Sequence, residues 1–374
     1  MELKCDFEVY HPLGGAAYVF EHDLISFILR KIKKKKIVIS VGAQPNSSPH
    51  FGTLCVFSLA FSLARMIKEK SKNKDAIVLF EVVDTAPSET IEINEIKYQN
   101  DLKHSDKMAN AMKDFVEILN YFSKKNNIMY KIRNQSEFNS QKEIKNILSN
   151  IVSKQDDIKF LLDPDNGRLR VRCSCPKCGL VDKEGINTIV ENDVIKSVCP
   201  NHGNYIVNFM KESSRVEYNT PLRNLVRAIM YGMVNNSNDY DYEIIRITGA
   251  DYAGFYQEEL LYKTASIIGY EAKMLPMIIY CPLILDWSGA KLSKSLYVKE
   301  GAYNDLPKYV INYSFLKEKF GVSGLDVIAD ETYLWLNEPY RLFRNYSVYY
   351  FINLFEKGGK IDGFEESTER DNTK

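Results

Sequence analysis

Three cysteines and one histidine in this 374-residue sequence have the spacing expected of metal ligands. Cys175 and Cys178 form one pair with two residues between them, and Cys199 and His202 form a second pair with the same spacing. Two such pairs of thiolate and imidazole ligands are typical of a tetrahedral zinc knuckle. Because four protein ligands leave no open coordination position, the zinc would be structural and would hold this part of the chain together.

The identity of one of these four ligands stays open, because a further thiol lies nearby. Cys173 could replace Cys175 in the first pair. Four of the seven cysteines lie between Cys173 and Cys199, and in a reducing compartment such crowding favours metal binding over disulfides. The alternative is a group of unpaired buried cysteines with His202 nearby by chance.

A second group of residues could bind a phosphate. The segment VGAQPNSSPHFGTL places Pro49, His50 and Gly52 between an apolar stretch and a long helical pattern. Helix N-termini offer unpaired backbone N–H groups and a partial positive charge, so they bind phosphate readily. Pro49 suits the first helical turn, Gly52 keeps a side chain away from a bound group, and His50 can donate a hydrogen bond to a phosphate oxygen. The alternative for His50 is a purely structural role as a polar helix cap.

Two lysines later in the chain could serve the same phosphate. Lys291 and Lys294 belong to the segment KLSKS, which follows an apolar stretch. At the end of a sheet strand, two mobile ammonium groups can neutralise a leaving pyrophosphate. The alternative is an ordinary exposed, flexible loop.

An α/β fold must bring these residues together. Short β-branched stretches alternate with helical spacing, a pattern typical of a parallel sheet that is covered on both faces. We predict strands at 36–43, 76–84, 128–134, 242–251 and 277–285, and helices at 50–70, 110–121, 141–152, 221–233 and 257–269. Because ligands bind at the carboxyl ends of the strands in such a sheet, the segments around His50 and Lys291 are expected to meet there.

The composition is that of an ordinary soluble globular protein, with 45% hydrophobic and 26% charged residues. The 49 basic residues are balanced by 49 acidic ones, so no global positive field indicates a nucleic-acid partner. The local run RKIKKKK (30–36) is either a solvated helix end or a basic patch. The N-terminus lacks the apolar core of a signal peptide, and no apolar run is long enough to cross a bilayer. We therefore expect a cytoplasmic protein with no membrane partner.

Two of these motifs resemble those of a known enzyme class. PHFG resembles the HIGH signature of class I aminoacyl-tRNA synthetases, and KLSKS resembles their KMSKS loop, in the expected order. Four segments are similar to those of class I lysyl-tRNA synthetases in particular, namely GAQPNSSPHFGTL, VVDTAP (82–87), EYNTPLRNLVR (217–227) and GADYAG (249–254). The likeness covers scattered motifs between about residues 36 and 300. It implies a Rossmann-type domain that makes an aminoacyl adenylate from ATP and Mg²⁺, with a zinc-bearing insertion.

The break in the α/β pattern gives the expected domain boundaries. The alternation stops near residue 157, where an Asn-Gly turn signal and the cysteines follow, and it resumes after residue 213. We predict a first half of the Rossmann-type domain at 1–156, an inserted zinc-knuckle module at 157–213, a second half with the KLSKS loop at 214–300, and a short helical C-terminal region at 301–374. The last residues of that region are expected to be a disordered tail.

The resemblance also implies roles for individual residues. His50, Lys291 and Lys294 would stabilise the reacting phosphates. The ATP site would comprise Gly42, Ala43, Pro45, His50, Gly52, Gly249, Asp251, Lys291, Ser293 and Lys294. Asp251 could contact the ribose or the α-ammonium group of the substrate, or it could merely cap a helix. Asp84 would select a basic amino acid, and the further candidates for the amino-acid pocket, Gln44, Tyr252 and Tyr256, could instead pack at the sheet edge.

The sequence departs from the lysyl family at several points. Ser47, Thr53 and Tyr252 replace a glycine, an asparagine and a histidine of that family, and only a short region follows KLSKS, where the family has a large anticodon-binding region. Lysine as substrate and the identity of the acceptor therefore stay open. The acceptor could be a tRNA held at its acceptor stem, or a small-molecule or peptide amine. A non-catalytic amino-acid or nucleotide sensor is the third alternative, and the presence of His50, Lys291 and Lys294 argues against it.

Overall fold

The computed structural model of the chain describes residues 23–102, 105–292 and 303–357. In chain order the strands are β1 (Lys36–Ala43), β2 (Asp75–Val82), β3 (Pro87–Ile93), β4 (Ile96–Asp101), β5 (Tyr130–Asn134), β6 (Val171–Cys173), β7 (Val181–Asp182), β8 (Ile189–Glu191), β9 (Val194–Cys199), β10 (Gly203–Asn208), β11 (Val216–Tyr218), β12 (Tyr242–Gly249), β13 (Ile278–Cys281), β14 (Ile284–Leu285) and β15 (Tyr346–Ser347).

The α-helices surround these strands. They are α1 (Leu24–Lys31), α2 (Phe51–Lys70), α3 (Asp106–Asn126), α4 (Gln135–Asn139), α5 (Lys142–Ser153), α6 (Gln155–Leu162), α7 (Phe209–Glu212), α8 (Thr220–Asn236), α9 (Thr264–Ile267), α10 (Tyr313–Phe320), α11 (Leu325–Asn337), α12 (Pro339–Leu342) and α13 (Val348–Glu356). A π-helical segment, Tyr256–Lys263, leads directly into α9.

Five strands form the central sheet, in the spatial order β13-β12-β1-β2-β5, and every neighbouring pair is parallel. This is the strand order of a Rossmann fold, in which the chain changes its direction of progress across the sheet between β1 and β12. The predicted α/β fold with a parallel sheet is confirmed. The strand at the switch point, β1, has the sequence KIVISVGA, whose β-branched residues suit a strand that is buried on both faces.

Alternate side chains of β1 enter two separate apolar cores. Ile37 and Ile39 belong to the core around α2, whereas Val38 belongs to the core around α5 and α8. This alternation follows from the two-residue period of a strand. Helix α2 is long and apolar enough to cross a membrane, but 72% of its apolar window is buried inside the protein, where the helix packs against the sheet and α11.

The segment between α6 and α8 holds small antiparallel sheets instead of βα units. Strands β8, β9 and β10 form one sheet, and β6 pairs with β11, which brings the two ends of the segment together. Strand β7 pairs with β4 of a hairpin formed by β3 and β4, so the segment is tied to the Rossmann half that precedes it. The boundary predicted at residue 157 falls inside α6.

Two predicted elements differ in the structure. The strand predicted at 277–285 is divided into β13 and β14 on either side of Pro282, since proline has no backbone N–H to contribute to a sheet. The helix predicted at 257–269 begins as the π-helical segment, a rare form that is frequent at functional sites. In the C-terminal region, β15 pairs with β14, and the tail predicted to be disordered lies outside the described residues.

Candidate active site

A cavity of about 700 Å³ lies at the carboxyl ends of β1 and β12, where the strand order reverses. This is the position at which open parallel sheets bind their ligands. The structure brings nine of the predicted site residues to the wall of this cavity, namely Gly42, Ala43, Gln44, His50, Gly52, Gly249, Asp251, Tyr252 and Lys291. Segments that are distant in the sequence therefore meet at one site.

Three predicted residues do not line the cavity: Pro45, Asp84 and Tyr256. The Asp84 side chain is buried, and its carboxylate accepts hydrogen bonds from the backbone N–H of Ser136 at 3.1 Å and from the Ser136 hydroxyl at 2.7 Å. This carboxylate thus fastens α4 to the end of β2. Asp84 does not line the cavity, and its selection of a basic amino acid stays a prediction.

Tyr256 contacts the cavity only through another residue. Its hydroxyl oxygen accepts a hydrogen bond from the amide of Asn224 at 2.9 Å, and Asn224 itself lines the cavity. Tyr256 therefore orients a wall residue. The predicted ATP-site residues Ser293 and Lys294 lie outside the described residues, so their roles stay predictions.

His50 is the N-cap of α2. Its Nδ1 accepts a hydrogen bond from the Thr53 backbone N–H at 3.4 Å, and its Nε2 lies 3.0 Å from the Thr53 Oγ1. The cap role that the sequence left open is therefore present, and the half-buried ring also forms part of the cavity wall. A Cβ atom on Gly52 would lie only 3.2 Å from the His50 ring, so glycine keeps the space beside this ring open.

Two glycines allow charged groups to approach the ends of the central strands. A Cβ atom on Gly42 would lie 2.9 Å from the Nη1 of Arg227, and a Cβ atom on Gly249 would lie 2.4 Å from the Oδ1 of Asp251. Real Cβ atoms do not tolerate such distances. Any larger residue at either position would push a charged side chain out of its place in the cavity.

Lys291 is held beside Asp251 at the mouth of the cavity. Its ammonium group lies 2.7 Å from the Asp251 Oδ2, and about half of the lysine side chain is exposed. The backbone next to it is fixed, because the N–H of Leu292 donates to the carbonyl of Ile284 at 2.8 Å. Exposed ion pairs contribute little to stability, so Lys291 can exchange Asp251 for an anionic ligand at small cost.

Three buried arginines form the floor of the cavity, and they were not among the predicted site residues. Arg223 and Arg227 lie one helical turn apart on α8, and Arg246 lies on β12. Their side chains are 6%, 5% and 9% exposed. An arginine within the otherwise apolar strand YEIIRITG is the sequence signal that could have revealed this floor, because such a side chain is seldom buried without a role.

None of the hydrogen bonds of these arginines is to a carboxylate within the described part of the chain. Arg223 donates to the Tyr218 carbonyl at 2.8 Å, Arg227 to the Gln135 amide oxygen, and Arg246 to the Asn224 Oδ1 at 2.5 Å. The Nε atoms of Arg223 and Arg227 are buried without a hydrogen-bond partner there. Burial, together with the charge of Arg227, lowers the pKa of Arg223 to about 10 and also lowers the pKa of Arg246. Positive charge is therefore concentrated in this floor.

The four predicted zinc ligands form a compact cluster. The ligand atoms of Cys175, Cys178, Cys199 and His202 all lie within 4.8 Å of one another. The Sγ atoms of Cys178 and Cys199 are 3.4 Å apart, and the His202 Nδ1 lies 3.7 and 3.6 Å from the Sγ atoms of Cys175 and Cys199. Tetrahedral zinc with Zn–S bonds of about 2.3 Å places its sulfur ligands about 3.8 Å apart, so this donor set fits the ion. Cys173 is not part of the cluster and is buried in β6.

The cluster also supports the floor of the cavity. Strand β6 precedes Cys175 and pairs with β11, and β11 leads directly into α8, which carries two of the floor arginines. Zinc bound to these four ligands would therefore fix the start of α8 from one side.

Changing Cys178 to alanine is expected to reduce the zinc content from about one ion per chain to nearly none, because three ligands hold zinc far more weakly than four. Metal analysis of the purified protein by mass spectrometry measures the loss directly. Cys173→Ala is the matched control, since Cys173 lies two residues before the cluster and should leave zinc bound. Full zinc content in Cys178→Ala, or its loss in Cys173→Ala, would contradict this ligand set.

No protein-family model matches the chain, and no curated protein matches it. Similar solved structures include methionyl-tRNA synthetase of Mycobacterium tuberculosis in complex with methionyl-adenylate, with 12% identity, a TM-score of 0.33 and coverage of 87% of this chain and 68% of that one. Arginyl-tRNA synthetase of Thermus thermophilus has 11% identity, a TM-score of 0.33 and coverage of 88% and 64%. Glutamate-tRNA synthetase of Elizabethkingia anophelis has 11% identity, a TM-score of 0.34 and coverage of 71% and 54%. The chain thus spans about half to two thirds of the length of these proteins.

Proposed function

We propose that the protein activates an amino acid with ATP, forming an aminoacyl adenylate and releasing pyrophosphate. One observation carries this proposal. The helix start with His50 and Gly52 and the first lysine of KLSKS, Lys291, lie at the same cavity, at the switch point of a parallel sheet. A helix N-terminus and a mobile ammonium group are the two features that a reacting triphosphate requires.

The reaction follows from this arrangement. ATP enters as its Mg²⁺ complex, and a carboxylate oxygen of the amino acid attacks the α-phosphorus. The new P–O bond forms as the bond from the α-phosphorus to the bridging oxygen breaks, and that oxygen leaves with pyrophosphate. The helix start and His50 position the phosphates, while Lys291 leaves Asp251 to neutralise the departing charge. Lys294 is expected to join Lys291 in this role.

The remaining wall residues suit the other parts of the substrates. The adenosine is expected to lie against the sheet edge at the ends of β1 and β12, where Gly42, Ala43 and Gly249 line the cavity beside Arg227 and Asp251. Asp251 can contact the ribose or the α-ammonium group of the amino acid. Lysine, which the resemblance implies as substrate, is not part of this proposal, because the floor of the cavity is already cationic.

We further propose that the activated amino acid passes to the acceptor end of a tRNA in the cytoplasm. The inserted zinc-knuckle module would bind this end of the tRNA. The basic run from Arg30 to Lys36 offers fewer free ammonium groups for tRNA binding than its composition indicates. Lys34 donates to the carbonyls of Val234 and Ser237, so its ammonium group serves the fold, whereas Lys36 forms only an exposed ion pair with Asp241. Binding of tRNA should weaken steeply between low and physiological salt, because counterions are released on contact. A shallow salt dependence would favour a small-molecule or peptide amine as acceptor.

The test is ATP–pyrophosphate exchange measured with each standard amino acid, with and without total tRNA. We expect one amino acid, or a small related group, to give exchange well above a reaction without amino acid. Absence of exchange under every condition would contradict the proposal and would favour a protein that binds amino acid or nucleotide without turnover.

A further inference from the structure

The floor of the cavity contains more buried positive charge than the described residues neutralise. Lys291 at the mouth is paired with Asp251, but Arg223, Arg227 and Arg246 have only uncharged hydrogen-bond partners. A guanidinium group carries five N–H donors, and two of the Nε–H donors have no partner there. Because these two Nε atoms are themselves buried, the donors that a ligand in the cavity can reach are the terminal nitrogens of the three side chains, and each side chain makes one hydrogen bond to the described residues.

Two buried carboxylates on elements next to the cavity are already paired with other arginines. Glu217 forms an ion pair with Arg172 at 3.0 Å, and Glu81 forms one with Arg133. Neither carboxylate lines the cavity. The charge of Glu217 acts on Arg223, but none of the three floor arginines forms an ion pair with a carboxylate in the described part of the chain.

The arginines also converge on one space. Arg223 and Arg227 lie at positions i and i+4 of α8, so they project from the same helix face. The guanidinium of Arg227 reaches over Gly42 at the end of β1, and Arg246 enters from β12, the next strand in the sheet. A group bound in this space would be surrounded by guanidinium groups from two elements.

We propose that the amino acid activated at this site has an acidic side chain, whose carboxylate binds among Arg223, Arg227 and Arg246. This inference rests on the proposed function and names its substrate class. The planar guanidinium matches a carboxylate in shape and charge. A lysine or arginine substrate would place a cation against three like charges, and a neutral amide would leave those charges uncompensated.

A phosphate group of ATP offers similar chemistry, and the position of the arginines argues against it. The helix start and Lys291, which suit the phosphates, are at the mouth of the cavity and are partly exposed, whereas the arginines are at its buried floor. The carboxylate and the phosphate can be distinguished by the substrate whose binding changes when an arginine is replaced.

The first experiment compares ATP–pyrophosphate exchange for glutamate, aspartate, glutamine, asparagine, lysine and arginine. We expect glutamate or aspartate to be activated with a kcat/KM about 100-fold or more above that of its own amide. Exchange that prefers lysine, arginine or an amide would overturn this inference and leave adenylate formation intact. Absence of exchange with glutamate and aspartate would also overturn this inference, whereas absence of exchange with every standard amino acid, with and without tRNA, would overturn the proposed function itself.

The second experiment uses Arg246→Gln. We expect the KM for the acidic amino acid to rise about 10- to 100-fold, because a charge-assisted hydrogen bond is lost, while the KM for ATP stays within about two-fold. Equilibrium binding of the amino acid alone, measured by calorimetry, should weaken to the same extent. A rise in the KM for ATP with an unchanged KM for the amino acid would assign the arginines to phosphate and overturn the inference.

A stability measurement separates this role from a structural one. Arg172→Gln is the matched control, because Arg172 is equally buried but is paired with Glu217. We expect Arg172→Gln to lower the melting temperature, since it leaves Glu217 buried without its partner, whereas Arg246→Gln should leave the melting temperature unchanged or raise it. A clear loss of stability in Arg246→Gln would mean that this arginine serves the fold, and it would contradict the inference.

Discussion

Changing Lys291 to alanine is expected to slow adenylate formation about 100- to 1,000-fold without unfolding the protein. The ammonium group of Lys291 lies 2.7 Å from the Asp251 carboxylate at the mouth of the cavity. Its favourable contact with pyrophosphate is strongest as the negative charge develops, so its loss should lower kcat more than it raises the KM for ATP. ATP–pyrophosphate exchange with the preferred amino acid measures both constants.

Lys317 offers a closely matched control. Its ammonium group also lies 2.7 Å from a carboxylate, that of Glu117, and its side chain is as exposed as that of Lys291, at 45%. Because exposed ion pairs contribute little, both variants should have nearly the wild-type melting temperature. Lys317→Ala should keep its activity within about two-fold. Equal activities of the two variants would remove Lys291 from the reaction.

The sequence predicts those elements of the fold whose structure is determined by their own residues. The run KIVISVGA gives β1 at the predicted bounds, because a strand buried on both faces is continuously apolar. The hairpin of β3 and β4 was not predicted, since its strands are polar and its turn lacks glycine. Asn94 and Glu95 occupy the left-handed region there, with φ of 51° and 63°. Pairing of β4 with β7, far away in the sequence, stabilises this hairpin.

The candidate site could be predicted in part for a similar reason. Residues that end parallel strands or begin the following helix meet at one sheet edge, so the sequence places His50 and Lys291 together, the resemblance adds Asp251, and all three line the cavity. The role of a buried charge depends instead on its partners in space. Asp84 also ends a strand, yet Ser136 occupies its carboxylate. Arg246 looked like an ordinary strand residue because its lack of a carboxylate partner is visible only in three dimensions.

Changing Glu81 to glutamine is expected to destabilise the protein by about 3–5 kcal/mol, because it breaks a buried ion pair. Glu81 is fully buried in β2. Its carboxylate accepts hydrogen bonds from the Arg133 Nε at 3.1 Å, from a second nitrogen of the same guanidinium, and from the Tyr231 hydroxyl at 2.7 Å. Burial disfavours the charged form of Arg133, but the neighbouring carboxylate raises the pKa of Arg133 above its ordinary value. Urea denaturation followed by circular dichroism measures the change in the free energy of unfolding.

Glu69→Gln provides the contrast at the surface. Glu69 accepts a hydrogen bond from Arg65 at 2.7 Å on the exposed side of α2, and its loss should reduce stability by less than about 1 kcal/mol. Replacing Arg133 by methionine in the Glu81→Gln background should restore part of the lost stability, because it removes the unpaired charge. If Glu81→Gln were no more harmful to stability than Glu69→Gln, Arg133 would not be the group that stabilises the Glu81 carboxylate. Glu81 could then neutralise the floor arginines, and Glu81→Gln should strengthen binding of an acidic amino acid instead of leaving it unchanged.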